Sequence, residues 1–132
     1  MPERPEGLAS VRTVIAWAGL LGFSAVAGGA FAAHGVADLH ARTLLQTGGQ
    51  YGLTHALAAL AALGVQRIGG RSAAGVASWC FLAGGSIFSA SLYALALSGL
   101  AWLGAVTPIG GLLMLAGWAL LAWSGLRLKP GA

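Results

Sequence analysis

At 132 residues, 58% of them hydrophobic and 8% charged, with a mean hydropathy of +0.82, the chain is one domain lying outside the range of soluble globular proteins. Its net charge of +4 does not point to nucleic acid, because the seven Lys and Arg flank apolar runs rather than forming an interleaved basic surface. The single cysteine, Cys80, sits inside an apolar run, which excludes an intramolecular disulfide or a thiolate metal cluster and reads as a small buried apolar residue.

In chain order, residues 1–12 read as a solvated tail carrying Glu3, Arg4, Glu6 and Arg12, with Pro2 and Pro5 discouraging helix. The first apolar run, about 13–33, is long enough to cross a bilayer. Ala30-Phe31-Ala32 imitates a signal-peptidase site, but the run exceeds the usual apolar core of a secretory signal. A polar interlude from His34 to His55 follows, holding all three histidines and the only acid outside the tail, Asp38. Within it Asp38 and Arg42 stand i,i+4 with the acid first, the favourable order for a helical ion pair. Residues 36–47 are expected to form a short amphipathic helix on the membrane surface, with Gly48-Gly49 turning the chain into a second span at about 50–66. A third span is expected at about 72–98 and a fourth at about 108–126, started by Thr107 as N-cap and Pro108, with a short tail at 127–132.

These expectations define an all-α integral membrane four-helix bundle with a surface helix between spans one and two. Arg4, Arg12, Arg67, Arg71, Arg127 and Lys129 would share one side and Arg42 the other, which by the positive-inside rule puts both termini in the cytoplasm. Trp17, Trp79 and Trp123 then fall near the inner interface, Tyr51 and Trp102 near the outer one, and Trp118 deeper as a packing residue. The bias argues against a dual-topology transporter. Small-xxx-small pairs such as Ser24/Gly28, Ala25/Gly29 and Gly85/Ser89 suit close helix contact in lipid.

Chemistry, if any, belongs at the outer end, where His34, Gln46, Gln50, Tyr51, His55, Tyr93 and Thr107 are expected to converge. Their first reading is structural, supplying hydrogen bonds to backbone at the junctions; a small-ligand or lipid-headgroup site comes second. A metal or haem site on His34, His40, His55 or Asp38 lacks a second acid or an H-x-x-x-H pair, so no metal and no cofactor is expected. The spans hold no interior acid or base, which disfavours a proton-coupled transporter, and the serines have no positioned base.

Several separated motifs resemble the YgdD-like family of small membrane proteins, domain of unknown function 423, related to transmembrane protein 256 of animals. They are Gly29-Ala30-Phe31-Ala32-Ala33-His34, Gln46-Thr47-Gly48-Gly49-Gln50-Tyr51 with His55-Ala56-Leu57, Phe88-Ser89-Ala90-Ser91-Leu92-Tyr93, and Leu103-Gly104 with Thr107-Pro108-Ile109-Gly110-Gly111. Ala32 and Ala90 stand where that family has glycine. The resemblance implies a four-helix protein of the bacterial inner membrane and supplies no activity. The expected function is non-enzymatic: an accessory or assembly partner of a membrane complex, or a homo-oligomer, in contact with the lipid bilayer. The alternative is binding or transport of a small molecule or lipid headgroup at the outer polar cluster.

Overall fold

The computed structural model describes residues 5–69, 72–129 and 131, and every regular element among them is helical. Helix α1 spans Pro5–His34, α2 Leu39–Gly69, α3 Ser72–Ser98 and α4 Thr107–Leu126, with a 3₁₀ turn at Ala101–Ala105 before α4. Residues 1–4 of the expected tail, Gly70 and Arg71 of the basic turn, and residues 130 and 132 lie outside the described residues.

Three boundaries differ from expectation, each for a local reason. Helix α1 begins eight residues early, at Pro5 rather than Thr13. A proline in the first turn costs little, because the N–H it lacks would have no partner there. Thr107 is not the N-cap of α4; Val106 is, and the Thr107 hydroxyl bonds across to α3. Most consequentially, no separate surface helix exists: residues 39–69 form one unbroken helix through Gly48-Gly49. A β-carbon on Gly48 would lie 2.7 Å from Tyr93 Cε1, one on Gly49 3.0 Å from the Ala25 carbonyl, and one on Gly52 2.7 Å from Ser89 Oγ. These glycines serve close helix crossing rather than a turn. The cost of about 1 kcal/mol per helical glycine is offset by packing on both sides of α2.

Consecutive helices are antiparallel. Ser78 of α3 donates to the Ala59 carbonyl of α2 at 2.8 Å, and Ser89, further along α3, donates to Gly48, earlier in α2, at 2.7 Å. On the other face of α3, Gly84 meets Gly110 while Phe81 meets Gly117, again in reversed order. Helix α3 is the hub, packing extensively on α2 and α4 and more lightly on α1. Gly99, at φ +70°, ends α3 in the left-handed conformation that glycine adopts without steric cost, its N–H closing on the Leu95 carbonyl at 2.8 Å.

The interior is built from small side chains. Ala59, Ala62 and Ala77 are 0% exposed, around Phe81, Leu82 and Val14. Large apolar groups point outward instead: Phe23 is 75% exposed, with Leu20, Leu97, Leu112 and Leu115 similarly uncovered. Water would penalise that surface heavily, whereas lipid tails are as apolar as leucine and leave close backbone packing as the driving force. Three stretches, Gly7–His34, Ala73–Ser98 and Ala101–Leu126, are long and apolar enough to cross a membrane.

Candidate functional site

The most buried ionisable residue among the described ones is His55, 4% exposed, at the meeting of α2, α3 and α4. Trp118 of α4 donates its indole Nε1–H to His55 Nε2 at 3.1 Å, and the Tyr51 carbonyl lies 2.8 Å from Nδ1. Indole nitrogen only donates, so Nε2 must be unprotonated and Nδ1 must carry the hydrogen that goes to Tyr51. The imidazole is therefore neutral and fully satisfied, one bond along its own helix and one across the bundle.

Aromatic rings complete its surroundings. Phe81 stands 5.6 Å from His55 and 4.8 Å from Trp118, and Tyr51 stacks on His55 at 6.0 Å with Phe88 4.7 Å beyond. Beside them runs a groove of about 340 Å³ bordered by Tyr51, His55, Phe88, Gly111, Met114 and Trp118. It offers aromatic faces and a thioether, with no charged group.

The seven residues expected to converge separate into distinct places. Tyr51 and His55 are the only pair among them joined by a hydrogen bond or a ring contact. Tyr93 lies on the opposite side of α3, its hydroxyl 3.0 Å from where a Gly28 β-carbon would stand, buried and without a hydrogen-bond partner. Thr107 and Ser91 join hydroxyl to hydroxyl at 2.7 Å, with the Phe88 carbonyl 2.9 Å from Ser91 Oγ and the Leu103 carbonyl 3.5 Å from Thr107 Oγ1. His34, Gln46 and Gln50 are exposed.

The expected Asp38–Arg42 ion pair does not form. Arg42 donates from Nε and Nη2 to the Val36 carbonyl, at 3.1 and 2.7 Å, bracing the link before α2. Asp38 accepts the Ala41 N–H on Oδ2 at 2.8 Å, an N-cap bond that satisfies one of the four unpaired donors of the helix start. Helical spacing alone favoured the pair, but Asp38 precedes the helix and its side chain turns down the first turn.

Among the described residues no three His, Cys, Asp or Glu gather as metal ligands. Its depth in the fourth apolar run predicts Trp118 as a packing residue; the bond to His55 is an addition of the structure. A tryptophan at mid-helix beside glycines carries no signal of its partner 63 positions away.

Residues 28–111 match the family described as "Protein of unknown function (DUF423)". The chain is 43% identical to a "UPF0382 membrane protein" of Haemophilus influenzae over 114 residues, covering 83% of this chain and 90% of that one. It is 40% identical to "UPF0382 inner membrane protein YgdD" of Escherichia coli K12 over 128 residues, covering 89% and 92%, and 35% identical to "UPF0382 membrane protein YwdK" of Bacillus subtilis over 107 residues, covering 78% and 87%. No solved structure matches at a comparable level.

Proposed function

The chain belongs to the DUF423 family and is a membrane protein, and from that premise we propose that it is a non-enzymatic four-span protein that works through its helix surfaces, as an accessory or assembly partner of a membrane complex or as a homo-oligomer. One observation carries the reading: apart from the buried hydroxyls of Tyr93 and Ser124, which have no partner, polar side chains inside the bundle hold helices together. Ser78 and Ser89 tie α3 to α2, Trp118 and His55 tie α4 to α2, Thr107 and Ser91 tie α4 to α3, and Trp17 ties α1 to Ser86 of α3 at 2.9 Å. Among the described residues no base, acid and nucleophile are left pointing at a shared space. What the molecule offers outward is apolar side chain.

In this reading α2 also crosses the membrane. It is less apolar than the others, but α1 and α3 pack along it, so its segment from Tyr51 to Arg67 shares their depth. With four antiparallel spans the two ends meet on one side. Arg12, Arg67, Arg127 and Lys129 lie toward that side and Arg42 toward the other, which supports cytoplasmic termini by the positive-inside rule.

The test is the mass of the protein extracted from native membranes in a polymer or a mild detergent, with chemical crosslinking before extraction. Larger defined species, homomeric or mixed, are expected. A lone monomer under every mild condition, crosslinked to nothing, would overturn the proposal.

A further inference from the structure

With Arg42 committed to the Val36 carbonyl, Asp38 is left as a carboxylate without a basic partner among the described residues, and it borders a cavity. That cavity, about 310 Å³, lies at the end of the bundle away from the termini. Asp38, His40, Ala41 and Leu44 line it from the start of α2, Leu95, Ala96 and Gly99 from the end of α3, and Ala101 from the 3₁₀ turn. Only Oδ2 of Asp38 is used, by the Ala41 N–H; Oδ1 has no protein donor.

The wall opposite is negative as well. A helix C-terminus concentrates about half an elementary negative charge on its last unpaired carbonyls. In α3 the Leu95 carbonyl is taken by Gly99 and the Ala94 carbonyl by the Ser98 hydroxyl, so the carbonyls beyond them carry that charge at the cavity edge. A carboxylate facing a helix C-terminus across a small space calls for a cation with hydrogens to donate. His40, unbonded in the structure and on the same wall, adds a group able to donate to an anionic oxygen.

The rest of the lining is apolar, and so is the rim: Leu39, Leu97, Leu100 and Trp102 are all exposed around this end. The occupant must therefore carry an ammonium and an anionic oxygen on an apolar body. We infer that this cavity binds the zwitterionic phosphoethanolamine headgroup of a phospholipid. The ammonium lies between Asp38 and the end of α3, the phosphate faces His40, and the acyl chains run down past Leu44 and Leu95. The inference rests on the membrane-spanning reading above and is independent of whether the protein has partners.

Native mass spectrometry of the purified full chain in detergent, titrated with phosphatidylethanolamine, phosphatidylglycerol and phosphatidylcholine of matched chains, tests it. Phosphatidylcholine has a cation without N–H donors and phosphatidylglycerol has no cation, so phosphatidylethanolamine should bind at least about tenfold more tightly than either. Asp38→Asn and Asp38→Ser both retain a capping oxygen for the Ala41 N–H while removing the charge, so both should fold, with unchanged helicity, and lose the preference. Equal binding of all three lipids, or an undiminished preference in both variants, overturns the inference. Displacement of the lipid by an equal concentration of soluble glycerophosphoethanolamine overturns the lipid assignment in favour of a soluble phosphoethanolamine compound.

Discussion

An imidazole surrounded by apolar helices is tolerated only if both of its nitrogens are bonded, and His55 meets that condition through Trp118 and the Tyr51 carbonyl. Trp118→Phe keeps the ring packing against Phe81 but strands Nε2 without a donor. The expected loss is about 1–3 kcal/mol, the cost of leaving a buried polar atom unpaired. Tyr93 is the opposite case, since its buried hydroxyl already lacks a partner. Tyr93→Phe should be neutral or stabilising by up to about 1 kcal/mol. Denaturation in mixed micelles compares the two variants directly, and a Tyr93→Phe change more harmful than Trp118→Phe would contradict these assignments. Composition and position singled out His55 and Tyr93 as unusual. Which of them had a partner was not readable, because the partner of one and the glycines around the other come from different helices.

At the scale of the element, the glycines of this chain do two different things that look alike in sequence. Gly110 and Gly84 let α3 and α4 touch backbone to backbone: a β-carbon on Gly110 would lie 2.6 Å from the Gly84 carbonyl oxygen and 2.6 Å from the Phe88 nitrogen. Gly111, its neighbour, has nothing within 4 Å at that position. Gly110→Ala should therefore destabilise by about 1–3 kcal/mol, through overpacking against atoms that cannot yield. Gly111→Ala should stabilise by up to about 1 kcal/mol, since alanine is the better helix former. Thermal unfolding in one detergent checks the opposed signs. The same logic governs α2, where Gly48-Gly49 reads locally as a break and structurally as a crossing point. Hydrogen exchange should find the amides of residues 48–52 as protected as those of residues 56–62; rapid exchange confined to 48–52 would restore the turn.

For the whole molecule, α2 at 31 residues is about 46 Å long, well beyond a hydrocarbon core of about 30 Å. In the four-span arrangement proposed above, its first turns would project past the bilayer as a continuation of the span, instead of lying flat on it; they line the cavity beside the end of α3. The orientation is open to direct measurement. In a Cys80→Ser background, single cysteines at Ser10 and at His40 should label from opposite sides of a sealed vesicle, with Ser10 on the cytoplasmic side; labelling of both from one side would break the four-span arrangement.

By itself the sequence determined that this is a helical membrane protein and roughly where its helices run. Those properties follow from runs of neighbouring residues, and the free energy of placing a run in lipid is close to additive along it. Only the tertiary structure decided that α2 is continuous and that His55 is bonded to Trp118. Both depend on helices approaching closely, and that approach is set by which small residues face each other across helices, a property no local pattern encodes.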